Sequence, residues 1–189
     1  SYIKRSNTTY YKCFRENAII NSVCSCIFMN NASHTTGSVI LGGKCHTLSK
    51  TSLSSILSGA NNCINTTKIS TIAGGANNLV CEFSGYGHNF IGGGKTNKIS
   101  GSYSGYNVIG GGVSNSITNM YSSDGVIGGG NSNNIIGNRA SIGGGYSNQV
   151  FNAGGAIAGG YCNKISGSNS FIGGGLCNKI CLNESLSVI

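Results

Sequence analysis

The chain has 189 residues and a formal net charge of +8, yet only 8% of its residues are charged; 32 are glycine and none is proline or tryptophan. Low-complexity disorder does not call for large aliphatics at fixed intervals, which this chain has, and no run approaches the ~18 apolar residues of a membrane-spanning helix. Lys4, Arg5, Lys12 and Arg15 fall in the first fifteen positions and the other basic residues are scattered, which suits mild attraction to acidic surfaces better than a nucleic-acid groove.

Residues 1–35 lack the motif that fills the rest of the chain and are expected to form an N-terminal cap or connecting segment. Ile19 and Ile27 lie eight residues apart, a spacing that recurs below, so a degenerate repeat is predicted there. Cys24, Cys26, His34, Cys45 and His46 are the nearest approach to a metal cluster. Zinc sites favour paired Cys units two to four residues apart, so this scatter fits a degenerate capping coil better, and neither a metal nor a cofactor is expected.

From 36 to 189 one motif repeats. FIGGGLCNKI (171–180) has counterparts in IAGGYCNKI (157–165), SIGGGYSNQV (141–150), VIGGGNSNNI (126–135), VIGGGVSNSI (108–117) and FIGGGKTNKI (90–99). With the isoleucine before the glycines as position zero, the anchors are Ile40, Ile56, Ile72, Ile91, Ile109, Ile127, Ile142, Ile157 and Ile172, at intervals of 15 to 19 residues. Position eight holds Leu48, Ile64, Val80, Ile99, Ile117, Ile135, Val150, Ile165 and Ile180. Position six holds His46 in the first repeat, then Asn62, Asn78, Asn97, Asn115, Asn133, Asn148, Asn163 and Asn178. Position three is glycine throughout, from Gly43 to Gly175. The C-terminal SLSVI matches GSVI (37–40), so Ile189 is read as opening another repeat and the chain as continuing beyond residue 189.

A period this short is too small for helix-pair solenoids, ankyrin units or propeller blades. It predicts an all-β fold, a parallel β-solenoid or β-roll of about nine coils, each with one strand at position zero and another at positions six to eight. Glycine serves the first turn because it reaches positive φ, and the absence of proline keeps every ladder donor. One coil shelters only two aliphatics, far too little to offset the ordering of its backbone, so the coils must stack. Stacking at about 4.8 Å makes two aliphatic columns roughly 40 Å long and lets the asparagines form an amide ladder.

The stretches AIAGGYCNKISGSNS (156–170) and SFIGGGLCNKICLNE (170–184) resemble the YadA-like head repeats of trimeric autotransporter adhesins, and similar Gly-Asn repeats occur in viral and phage fibre proteins. The resemblance covers about 40 to 189. It implies a parallel β-roll and a homotrimer packed around one axis. The family unit is shorter, with one glycine where this chain has three, and no coiled-coil heptads, neck or membrane anchor are visible.

Enzymatic signals are weak. GGGKT (92–96) resembles part of a phosphate loop, but Asn89 stands where the pattern needs glycine. The four carboxylates, Glu16, Glu82, Asp124 and Glu184, share no register. The nine cysteines do not follow a disulfide-framework spacing, and several occupy positions that other repeats fill with Ser, Thr or Asn, so they are read as thiols, including the in-register Cys162 and Cys177.

Longer linkers in the middle repeats carry aromatics: EFSGYGHNF (82–90), SGSYSGYNV (100–108) and TNMYSSDGV (118–126). Tyr103 and Tyr121 share one register; His88, Tyr106 and Asp124 share another. With Tyr86 they form a candidate binding bulge for a glycan or protein, or they fill gaps between neighbouring chains. The expectation is a non-enzymatic shaft or head of a surface fibre or virion, at the virion or cell surface. Its partners are its own copies and other structural proteins, with a receptor- or glycan-binding adhesin head as the alternative. Neither nucleic acid nor membrane insertion is expected for this segment.

Overall fold

The computed structural model describes residues 19–20, 37–83, 87–101, 105–118 and 124–189. Among them the protein is all-β without a helix, and its strands stack in parallel as a solenoid. One sheet joins the anchor strands in chain order, from Val39–Ile40 to Phe171–Ile172, with Ile19–Ile20 at its edge. A second sheet joins the strands around position eight, from Thr47–Ser49 to Lys179–Ile180. A third ladder, absent from the two-strand expectation, runs through position four. Its single-residue parallel bridges link Lys44, Ala60, Ala76, Lys95, Val113, Asn131, Tyr146, Tyr161 and Leu176.

Strand alternation sends position zero and position eight inward from their two sheets. Each anchor pairs with the next, as Ile142 does with Ile157 and Ile157 with Ile172. All nine anchors and all nine position-eight aliphatics are at most 1% exposed and form one core. Two β-branched columns meet along the axis, where no separate coil could shelter them.

The rest of the interior is polar, and backbone geometry explains why. The turn after the anchor leaves partly buried carbonyls that need hydrogen-bond donors. The position-six asparagine satisfies them. Asn133 Nδ2 donates to Gly129 O and to Gly145 O of the next coil, both at 3.0 Å, and its Oδ1 accepts the backbone N–H of Asn148 at 3.0 Å. Asn78, Asn97, Asn115, Asn148 and Asn163 repeat the arrangement. The ladder therefore runs from side chain to backbone. The expected amide-to-amide bonding occurs in this column between Asn163 and Asn148, at 3.1 Å.

A second polar column stands two residues before the anchor in six of the nine coils, at Ser38, Ser54, Ser70, Asn89, Asn107 and Ser170, all at most 2% exposed. It works in the same way. The N–H of Ser54 donates to Ser38 Oγ, that of Ser70 to Ser54 Oγ, that of Asn89 to Ser70 Oγ, and that of Gly125 to Asn107 Oδ1.

The three glycines of each motif are not equivalent. At position three φ lies between +81° and +99°, and a Cβ would sit 2.0–2.3 Å from the carbonyl oxygen of the next coil in every repeat from Gly43 to Gly160. Glycine is required there twice over. At position two, a Cβ on Gly111, Gly129, Gly144 or Gly159 would meet nothing within 4 Å, and Ser58 occupies that position in the second coil. Position five adopts left-handed backbone in all nine repeats, from Cys45 at φ 55° to Cys177 at φ 53°, without a glycine. Small side chains, Cys, Asn, Thr and Ser, fill it.

Two register details concern the ends. Ile20, not Ile19, pairs with Ile40, so the predicted degenerate repeat is shifted by one residue; Ile27 lies outside the described residues. Val188 bridges Phe171, and Gly173 N–H donates to Ile189 O at 2.8 Å, which places Ile189 over Ile172.

Candidate functional site

The inward positions serve the stack, so candidate contact surfaces lie on the outward columns. Three stand out.

The first is the linker bulge. His88 and Tyr106 share the register three residues before their anchors, and the His88 N–H donates to Gly105 O at 3.2 Å. Their rings stack with centroids 4.9 Å apart and planes 29° apart. Tyr106 is 63% exposed, and Asp124, one coil further on, is also exposed. Tyr86, Tyr103 and Tyr121 lie outside the described residues. The structure thus brings together the ring pair of the proposed patch.

The second is the anchor face. Between one residue before the anchor and three after it, no charged residue occurs in any of the nine coils. Along it, Phe90, Val126 and Phe171 are 40–43% exposed beside a floor of glycine.

The third is a ridge on the position-four ladder that the sequence reading passed over. Val113, Tyr146, Tyr161 and Leu176 line it and are 41–69% exposed. Tyr146 and Tyr161 stack with centroids 5.1 Å apart and planes 4° apart. The available signal was their common register. Position four holds Lys, Ala, Val, Asn, Tyr and Leu in different coils, so residue type carried no warning.

The weaker chemical readings separate in space. GGGKT opens no helix: Lys95 is exposed and bridges Ala76 and Val113 in the position-four ladder. Cys45 is exposed, whereas His46 is fully buried and takes the asparagine position of the first coil; Cys24, Cys26 and His34 lie outside the described residues. Burial lowers the His46 pKa below its usual value. Its Nδ1 accepts the Asn62 N–H at 3.2 Å, and its ring faces the carbonyls of Gly42 and Gly59 without a well-aligned Nε2 bond to either. Among the described residues no three His, Cys, Asp or Glu side chains gather as metal donors. Glu82 is buried and accepts from Asn89 Nδ2, while Asp124 and Glu184 are exposed; Glu16 lies outside the described residues. The six described cysteines, Cys45, Cys63, Cys81, Cys162, Cys177 and Cys181, are free thiols. Among the described residues no helix is long and apolar enough to cross a membrane.

No protein-family model matches this chain, and no curated protein matches it.

Proposed function

We propose that the chain is a non-enzymatic structural element, the shaft or head of a surface fibre or virion, that self-associates through its anchor face and displays a contact surface. One observation carries this reading. Position two is glycine in eight of nine repeats, yet at Gly111, Gly129, Gly144 and Gly159 a Cβ would meet nothing within 4 Å, and the second coil accepts Ser58. In those four coils the coil's own packing does not call for glycine. A neighbouring surface lying close against the backbone does, and the flanking face is charge-free, as a desolvated contact requires. The homotrimer implied by the adhesin resemblance places three such faces around one axis. Other structural proteins of the virion or cell surface are its proposed neighbours, and the function needs no cofactor, nucleic acid or membrane insertion.

The test is to replace Gly111 and Gly144 with Arg. The side chains project into open space, so circular dichroism should remain unchanged while light scattering shows the assembly falling to monomer. Wild-type protein that is already monomeric, or an assembly indifferent to both arginines, refutes the reading.

A second reading has its own support. The stacked His88–Tyr106 pair offers an exposed aromatic surface of the kind used to contact glycans and proteins. As a receptor- or glycan-binding head, the protein should lose cell attachment on His88→Ala with Tyr106→Ala while its mass is unaltered. Attachment that survives both changes ends that reading.

A further inference from the structure

We propose that Cys162 and Cys177 form a thiol modification site, a surface dithiol that exchanges with glutathione disulfide to give a reversible disulfide between the eighth and ninth coils. The two residues occupy position five of successive repeats, in matching left-handed turns with φ 57° and 53°. The residues before them, Tyr161 and Leu176, are bridge partners, and the Cys177 N–H donates to Tyr161 O at 2.8 Å. In-register parallel neighbours lie about 4.8 Å apart, inside the Cα range of roughly 4.4–6.8 Å that a disulfide spans. Both thiols are exposed, and the Cys162 side chain is close enough to perturb the Cys177 thiol.

No other described pair has this arrangement. Cys45 faces the Asn61 turn. Cys63 pairs with Leu79 and Cys81 with Asn65, which leaves those two thiols offset along their strands. Cys181 lies one residue beyond the strand Lys179–Ile180, in the other sheet.

The neighbouring Cys162 side chain raises the Cys177 pKa. Either thiol can open the exchange, and the route through Cys162 is representative. The Cys162 thiolate displaces one glutathione thiolate and forms a mixed disulfide. Cys177 then loses its proton and attacks the Cys162 sulfur, releasing the second glutathione thiolate. The two protons from the cysteines end on the two glutathiones, and the two electrons lost by the protein reduce the one glutathione disulfide. Both sulfurs are exposed, so reduced glutathione can reach the bond and reverse the exchange.

The experiment equilibrates the purified chain in buffers of graded reduced-to-oxidised glutathione ratio, alkylates the remaining thiols and maps peptides by mass spectrometry. Expected is a 162–177 cross-linked peptide, lighter by two hydrogens, with no lasting glutathione on either residue. Cys181, an exposed thiol just beyond a strand of the other sheet, should keep its glutathione adduct. Cys162→Ser should leave a stable adduct on Cys177, and Cys177→Ser one on Cys162. Both variants should fold, because Ser114, Ser132 and Ser147 already stand at this position. Stable adducts on both wild-type residues, or cross-links only between separate molecules, overturn the proposal.

Discussion

Gly144 and Gly145 are neighbours in SIGGGYSNQV and should behave in opposite ways when changed to alanine. At Gly145, φ is +88°, and a Cβ would lie 2.2 Å from Gly160 O, 2.8 Å from Asn148 Nδ2 and 2.9 Å from Gly160 N. Carbonyl and amide belong to the next coil's backbone and cannot swing aside. The stack must open, which loosens the bonds that Gly160 O accepts from Tyr146 N–H at 2.9 Å and from Asn148 Nδ2 at 3.0 Å. Two hydrogen bonds at about 0.5–1.5 kcal/mol each, plus about 1–3 kcal/mol of backbone strain, give a loss of roughly 2–6 kcal/mol for Gly145→Ala. At Gly144 a Cβ meets nothing within 4 Å, so Gly144→Ala should fall within about 0.5 kcal/mol of wild type. Urea unfolding followed by circular dichroism measures both. Equal effects, or a Gly145→Ala variant as stable as wild type, would refute the claim that the positive φ and the next coil together fix the third glycine.

Two further outcomes test the polar interior. Asn133→Ala removes three hydrogen bonds from a side chain at 0% exposure and strands the groups they served; a loss of about 3–5 kcal/mol is expected in the same unfolding assay, against a change within about 0.5 kcal/mol for the outward Asn134→Ala. His46→Asn should stabilise the first coil by about 1–2 kcal/mol near neutral pH, because one amide nitrogen reaches two carbonyls that a single imidazole N–H cannot serve together. The same variant tests the titration. His46 is held below its usual value of about 6.5, so its neutral form contributes stability that is complete above that pH and is lost as pH falls through the lowered value. Melting temperature against pH should therefore show wild type losing more on acidification than His46→Asn, and parallel curves would sink the assignment.

Much of the stack was legible because inward positions leave few choices. A β-branched residue at zero, another aliphatic at eight and a glycine at three recur with little variation, and each meets a single steric demand. The asparagine register was legible, but its bonding was not: sequence shows that the amides align and cannot show that backbone carbonyls claim them first. The second polar column escaped because Ser, Asn, Gly and Ala all satisfy it; the requirement is small size, with a side-chain oxygen where one is available. The shift from Ile19 to Ile20 went unseen because adjacent isoleucines fit a spacing of eight almost equally well, and no glycine motif fixes the phase there.

The outward columns invert this logic and bear on function. Where a side chain faces solvent, the coil accepts nearly anything, as position four does with Lys44, Ala60, Val113, Asn131 and Tyr146. An outward position that nonetheless keeps one residue type is answering to something beyond the coil. Position two is such a place from Gly111 to Gly159, where four successive coils keep glycine although Gly111, Gly129, Gly144 and Gly159 all face open space. The position-four tyrosines and the His88–Tyr106 pair are local to a few coils, so they suit recognition at one point along the rod. The glycine stripe runs its full length, and a contact of that extent suits another rod better than a small ligand. The two kinds of surface lie at different registers of the coil, so arginine at Gly111 and Gly144 should dissolve the proposed assembly without touching the rings. An attachment assay on that monomer then separates the scaffold from the recognition surface: binding that persists places recognition on single rods, and binding lost with assembly makes the rod-to-rod contact part of the site.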